Sequence, residues 1–442
     1  MSIRQQGSSY PWFFENLKGM VRMLLTTFGS YGDLHPYLAI GKELRSLGHE
    51  VVMATSASYR ERIESAGLQF TPTRPDVSLA DRETIRYFLD RLRGTERVVR
   101  AMASVVRETY EDTLAAARNV DLIVTHPLSF AAVMVAEQLK LPWVSSVLAP
   151  GSFLSAYDPP VPAPTPWMVR FRALGPGAMR AVWGLVTPMI RRWCRPVFDL
   201  RHEIGLESGG NPLFEGGNSP NLVLALFSRV LAEPQPDWPR QAVITGFPFY
   251  EDAAQDLSPE LSGFLEAGPP PVILTLGSTA VAAPGDFYST SLQAIQRLGA
   301  RALFLTGPPA PDLPTRWPSG VLAWPYVPHE QVFRYASAIV HPGGIGTTAQ
   351  ALRSGSPMLV MPFAHDQFDN AARVQRLGAG IAVPRYKYRA ETATAALRRL
   401  LCEPSYRAAA ASAATVIQAE SGARQAAEEI DRYLSTTRLR RP

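Results

Sequence analysis

Short β-type apolar runs alternate with segments of helical periodicity along most of the chain. Residues 20–27 are such a run, followed by the glycine-rich turn Gly29-Ser30-Tyr31-Gly32-Asp33. Leu38, Ile40, Leu44 and Leu47 then share roughly one helical face, which predicts a helix over 36–47 ended by Gly48. With a second strand over 50–55, the chain opens as a βαβ unit of a parallel sheet. Residues 121–125 and 143–148 read as strands flanking a helix over 130–139. A second alternating series begins near residue 271. It predicts strands over 272–276, 302–306, 321–326, 337–341, 358–362 and 381–383, with helices over 287–298, 347–354 and 366–377. Residues 392–434 are alanine-rich and helix-prone.

Two stretches break the alternation. Residues 159–196 are rich in proline, tryptophan and arginine, which predicts an irregular, partly helical insertion that either shapes a pocket or packs on the surface. Residues 246–270, with many Pro, Gly and acidic positions, read as a linker. A length of 442 residues exceeds one ordinary core. The predicted organisation is an extension (1–19), an N-terminal domain (20–245), the linker (246–270), a C-terminal domain (271–415) and a helical tail (416–442). Two doubly wound α/β domains bind ligands at the carboxyl ends of their strands, so a shared ligand belongs in the cleft between them.

Composition narrows the classes. A hydrophobic content of 46% with 19% charged residues excludes wholesale disorder. The net charge of +5 is spread along the chain and is locally dense only at the ends, as in Arg438-Leu439-Arg440-Arg441. That distribution speaks against nucleic acid as a partner. An anionic substrate and a peripheral contact with anionic lipid fit it equally well. Cys194 and Cys402 lack metal-ligand spacing and read as buried free thiols of a reducing cytoplasm. No apolar run reaches spanning length before His126, Pro142 or Pro188 interrupts it, so a cytoplasmic protein without a transmembrane segment is expected.

Two motifs carry chemistry. After the strand 337–341 comes His341-Pro342-Gly343-Gly344-Ile345-Gly346-Thr347-Thr348. Glycines let backbone approach a ligand, and the helix that follows offers free N–H groups and a favourable dipole to an anion. This is not a GxxxxGK[ST] loop. Asp366 and Gln367 follow the next strand, on the same sheet edge, and form a carboxylate–amide fork suited to vicinal sugar hydroxyls. Asp366 also sits where it would cap the helix it begins.

Residues 327–370 resemble the nucleotide-sugar signature of family 1 glycosyltransferases of the GT-B architecture, in which two Rossmann-like domains face each other across a cleft. The bacterial and sterol branch is the nearer match, through Val327-Pro328-His329, the His341 turn, Gly355-Ser356-Pro357 and Pro362-Phe363 with Asp366-Gln367. The phrases Leu224-Ala225-Leu226-Phe227-Ser228, Pro234 to Pro239 and Gly246-Phe247 are similar to the rhamnosyltransferase chain of rhamnolipid synthesis. The resemblance implies a donor site of named parts. Tyr326 takes the place of a base-stacking Trp, and the Val327 backbone and His329 side chain meet the base edge. Ser278, Thr279, His341 and the turn Gly343, Gly344, Gly346, Thr347 and Thr348 hold the diphosphate. Gln350 replaces a ribose-binding Glu, and Asp366 with Gln367 holds the sugar.

Inverting transfer needs a base for the acceptor hydroxyl. In Gly32-Asp33-Leu34-His35-Pro36, Asp33 matches the Gly-Asp-x-x-Pro form of the sterol and glycopeptide branches and is the candidate base; a helix cap is its alternative role. His35 and His126 are weaker acceptor-pocket candidates. N–H groups and hydroxyls alone can stabilise the leaving diphosphate, so neither metal nor cofactor is expected beyond the UDP- or dTDP-linked co-substrate. The aromatic stretch 153–193 suggests an apolar small molecule or lipid as acceptor. A nucleotide-sugar epimerase and a non-catalytic nucleotide-sugar-binding partner of another transferase are the alternatives.

Overall fold

The computed structural model describes residues 19–76, 81–251, 256–308, 313 and 316–438. Nearly all of the expected N-terminal extension, and the basic tail after Arg438, lie outside the described residues. Strands β1 (Arg22–Thr26), β2 (Glu50–Thr55), β3 (Gln69–Pro72), β4 (Leu122–Thr125), β5 (Trp143–Val147), β6 (Val223–Ala225) and β7 (Ala242–Ile244) form one sheet in the order β3-β2-β1-β4-β5-β6-β7. Strands β8 (Val272–Thr275), β9 (Ala302–Leu305), β10 (Val321–Trp324), β11 (Ala338–His341), β12 (Met358–Val360) and β13 (Gly380–Ala382) form the other, ordered β10-β9-β8-β11-β12-β13. All neighbours are parallel, and strand order reverses beside β1 and β8. A ligand crevice opens at such a reversal, outside the carboxyl ends of β1 and β4 and of β8 and β11. These are two Rossmann-like domains, as the alternation predicts.

Local physics moves several boundaries. The first helix runs Tyr31–Ser46 rather than 36–47, because Ser30 and Asp33 form a reciprocal capping box and Pro36 is absorbed within the helix. Gly277-Ser278-Thr279 is not the end of a strand but part of one helical turn, Gly277–Ala280. The insertion holds a 3-10 helix, Pro166–Leu174, and an α-helix, Pro176–Arg191. Within 246–270 lies the helix Pro259–Glu266, whose Leu261 and Leu265 are buried. Cys194 is buried as expected, and burial pushes its thiol up to about 12; Cys402 is exposed, contrary to the expectation for both.

The domains exchange elements. Helix Arg82–Phe88, from the first half, buries Ile85 in the core that holds Val272 and Leu274 of β8. Position 416 falls inside helix Pro404–Ala419, and the next helix, Gly422–Arg438, returns to the first domain. There Ala426, Ala427 and Ile430 pack with Leu34, Tyr37 and Leu38. The two crossings touch: Gly246 has φ +87°, and a Cβ on Gly422 would lie 2.4 Å from the Phe247 carbonyl oxygen.

A buried ion network ties the halves together near the cleft. Arg373, on helix Gln367–Arg376, is only 2% exposed. Its Nε donates to Asp369 Oδ2 (2.7 Å), and its Nη1 donates to Asp158 Oδ2 (2.5 Å) and to the Leu231 carbonyl (3.1 Å). Arg376 Nη1 reaches the other Asp158 oxygen (2.9 Å), and the Val161 N–H donates to Asp369 Oδ1 (3.1 Å). Removing one member strands charge in low dielectric. Arg373→Met is therefore expected to destabilise by roughly 3–5 kcal/mol, with a smaller loss for Asp158→Asn, which leaves Arg373 paired to Asp369; urea unfolding midpoints check the order.

Candidate active site

The first component stands at the carboxyl end of β1. Asp33 is the third residue of its helix, and its Oδ2 accepts from the Ser30 backbone N–H (2.8 Å) and hydroxyl (3.3 Å). The carboxylate therefore does cap its helix. Its other oxygen lies 3.3 Å from Nε2 of His126, which follows β4. The Leu128 N–H donates to His126 Nδ1 (3.1 Å), so the ring proton sits on Nε2 and points at Asp33. The imidazole is buried, whereas the Asp33 side chain keeps 31% exposure. The pair thus has a dry orienting end and a wet carboxylate, the arrangement of a base held by a second group. His126 also borders a cavity of about 190 Å³ lined by Phe130, Trp143 and Arg201.

The second component stands at the carboxyl ends of β8, β11 and β12. The helix Ile345–Arg353 begins at the glycine turn, leaving the N–H groups of Ile345, Gly346 and Thr347 without helical partners. Gly343 is required by its own fold: φ is +91°, and a Cβ would lie 2.8 Å from Val360 and 3.0 Å from the Gln367 carbonyl. Gly344 is different, because a Cβ there would meet no protein atom within 4 Å. Packing does not call for glycine at that position; close approach of a ligand would.

His341 is fully buried, and its Nδ1 accepts from the Gly343 N–H (3.1 Å), so its proton is on Nε2. That Nε2 is buried without a hydrogen-bond partner among the described residues. Burial, then the neighbouring His329, pushes its pKa down to about 3, which keeps it a neutral donor. Gly277 packs on Thr347 Oγ1, bringing the half-buried Ser278 and Thr279 beside the helix start. Thr348 departs from its expected role. Its side chain is fully buried and its hydroxyl donates to the Gly344 carbonyl (3.0 Å), leaving Thr347 as the accessible hydroxyl.

The fork is also fixed. Gln367 Oε1 accepts from the N–H groups of Phe363 (2.8 Å) and Ala364 (3.2 Å), so its NH2 is the free end. Asp366 stands at the N-cap position but makes no capping bond. Instead its Oδ2 accepts from Asn370 Nδ2 (2.7 Å), which also holds the Gly343 carbonyl (2.9 Å) and so joins fork to turn. Burial pushes the Asp366 carboxyl up to about 7; Asn370 opposes that shift and the charge of Asp33 adds to it.

The components face each other. A Cβ on Gly346 would lie 3.6 Å from Gly32 Cα, so the two helix starts meet across the cleft. His365, which the motif reading left without a role, has φ +55° and sits 3.3 Å from Thr95 Oγ1 of the first domain. Its only sequence signal is its place before Asp366. Tyr326 is 57% exposed beside buried Val327, whereas the His329 ring stacks on Phe333 (4.5 Å, 11°) with burial pushing its pKa down to about 4. Gln350 lines a cavity of about 510 Å³ with Phe333, Arg353 and Gln418. His35 is not brought to Asp33; it lies against Tyr31 (5.2 Å) and Tyr250 (5.2 Å). Two residues apart on a helix, it points away from Asp33. No group of three or more His, Cys, Asp or Glu among the described residues could hold a metal ion.

Comparison with known proteins places the chain in a family. Residues 23–157 match the glycosyltransferase family 28 N-terminal domain, and residues 308–434 match the erythromycin biosynthesis protein CIII-like C-terminal domain. The chain is 31% identical to the O-mycaminosyltylonolide 6-deoxyallosyltransferase of Streptomyces fradiae over 94% of its own length and 98% of that protein's. It is 27% identical to a sterol 3-beta-glucosyltransferase of Aspergillus fumigatus, matching 82% of this chain but 26% of that longer protein. Among solved structures, the glycosyltransferase VinC in complex with dTDP superposes with a TM-score of 0.66 at 23% identity, covering 94% of this chain and 100% of that one. The chain belongs to the family 1/28-type glycosyltransferases of GT-B fold, with an erythromycin-CIII-like C-terminal domain.

Proposed function

We propose that this glycosyltransferase moves a hexose or deoxyhexose from a UDP- or dTDP-sugar to a hydroxyl of an apolar small molecule or lipid, with inversion and without a metal or other cofactor. Residues 20–245 serve the acceptor and 271–415 the donor. The observation that carries the reading is the meeting of the Asp33–His126 pair with the glycine turn across the cleft. A dTDP donor draws support from the dTDP complex of VinC, and a deoxyhexose from the deoxyallosyl group named in the Streptomyces relative. The resemblance of residues 224–228, 234–239 and 246–247 to the rhamnolipid rhamnosyltransferase chain points the same way. An apolar acceptor is in keeping with the tylonolide and sterol relatives. A cytoplasmic site of action with peripheral membrane contact completes the proposal; no helix among the described residues is long and apolar enough to cross a membrane.

The chemistry follows from the donors and acceptors present. The acceptor oxygen attacks the anomeric carbon as its proton passes to Asp33, which the Ser30 and His126 donors hold in place. The bond to the diphosphate breaks on the opposite face. Charge gathering there meets the free N–H groups at the start of helix Ile345–Arg353, the Thr347 hydroxyl, Ser278, Thr279 and the His341 Nε2–H. Gln367 donates to a sugar hydroxyl and Asp366 accepts from another.

Replacing the base gives the first test. Asp33→Asn is expected to lower kcat by roughly 10²–10⁴-fold while donor affinity stays within about twofold. Unchanged turnover in steady-state transfer assays would exclude Asp33 as the base. Asp366 gives the second. Sugar hydroxyls donate to its ionised form, so binding below about pH 7 must release a proton. Donor affinity should therefore rise with pH up to about 7 and level off above it. Asp366→Asn should bind weakly with this step removed, as calorimetry across pH would reveal.

A further inference from the structure

The insertion after Asp158 carries charge of one sign. Residues 159–198 contain six arginines (Arg170, Arg172, Arg180, Arg191, Arg192 and Arg195) and no lysine, aspartate or glutamate. All six are exposed. Arg195 has a carboxylate nearby, Asp199 at 3.8 Å; Arg180 and Arg191 bond neutral groups, the hydroxyls of Tyr157 (2.8 Å) and Ser208 (3.2 Å).

The same segment exposes apolar surface. Helix Pro166–Leu174 buries none of its residues, and helix Pro176–Arg191 buries only Met179 and Trp183. Val182 and Val186 pack against that small core. Leu185 and Met189, four apart, extend the apolar arc past the buried stripe into solvent at 77% and 63% exposure. Leu174 (72%) and Trp167 (58%) add to it from the preceding helix. Leu185 and Leu174 are the two most exposed large apolar side chains among the described residues. Exposed leucine, methionine and tryptophan interleaved with arginine is the chemistry of a helix lying in a membrane interface.

We propose that this two-helix insertion seats on an anionic lipid bilayer. Leu174, Leu185, Met189 and Trp167 enter the boundary between headgroups and acyl chains, and the arginines bind lipid phosphates. A second copy is the poorer occupant, because a two-fold contact would set this cationic face against itself. The inference deepens the peripheral contact proposed above and gives it a surface. The insertion leaves the chain directly after Asp158, the residue that Arg373 holds at the cleft, so an acceptor drawn from the bilayer would enter beside it.

Vesicle co-sedimentation of the full chain tests this. The expected result is binding to phosphatidylcholine vesicles containing about one-third phosphatidylglycerol, little binding to phosphatidylcholine alone, and release by raised salt. Arg172→Gln should weaken binding about fivefold. Leu185→Glu with Met189→Glu should abolish it, and both positions are exposed enough for the fold to persist. Equal binding to the two vesicle types, or full binding by the double variant, overturns the proposal. So does a double variant that changes self-association instead, which marks a protein interface. Donor turnover with a water-soluble acceptor and no vesicles should be unchanged in the double variant; a fall would assign these side chains to the acceptor site and overturn the bilayer assignment. The transferase reading stands or falls separately, on Asp33→Asn.

Discussion

A guanidinium left only 2% exposed at a domain boundary must be neutralised there, and the way Arg373 achieves this governs the rest of the molecule. Taking such a charge out of water costs several kcal/mol, offset only when geometry is good and the remaining donors are satisfied. Asp369 lies one helical turn away, but Asp158 and the Leu231 carbonyl come from the other domain. The cost is therefore met only when the domains are together. Forming the cleft and completing the network are one event. The helix so clamped begins with Gln367, next to Asp366, and the loop it clamps runs from Gly151 to Val161 on the opposite wall. Asp366-Gln367 and the loop on the opposite wall are thus tied together by charges that lie outside the proposed substrate contacts.

That network shows what a sequence does and does not disclose. The placement of Asp33, the His341 turn and Asp366-Gln367 at the carboxyl ends of strands was legible because it is local: a glycine, a hydroxyl or a carboxylate at a set distance from a strand end. The alternation of the two halves was legible for the same reason. Arg373 and Asp158 stand 215 residues apart, and neither has a spacing that betrays the other. Strands β6 and β7 and the helices between β3 and β4 were not predicted, although helix Gly94–Ser104 buries Val99, Met102 and Ala103 along one face. Pro36 misled in an instructive way. Proline usually opens a helix, yet the capping box at Ser30 and Asp33 begins this one earlier and absorbs it. Thr348 looked like a ligand donor by position; only packing reveals that its hydroxyl is spent on Gly344.

The capping bonds of Asp33 are compatible with the base role proposed for it. The bond that caps the helix also fixes the carboxylate, and the His126 tautomer set by the Leu128 N–H supplies the second restraint. A lone carboxylate at a helix start would be free to rotate. This one has three donors around it and still keeps exposure toward the cleft. Asp366 shows the converse. It has the position of a cap without its bond, and burial together with the nearby Asp33 charge makes its ionisation costly.

These electrostatics divide labour under the proposed mechanism. Residues 341–350 include no lysine or arginine, and burial keeps His341 uncharged. The donor turn thus faces a dianionic leaving group with N–H and O–H dipoles alone. A fixed cation would hold the product diphosphate as firmly as the departing one, whereas dipoles in a dry turn favour the charge as it develops and release it more readily. The negative charge needed to draw the acceptor proton stands across the cleft on Asp33, a residue of the other domain. Under that mechanism chemistry requires both domains in contact, and the Arg373 network is a buried interaction that spans them.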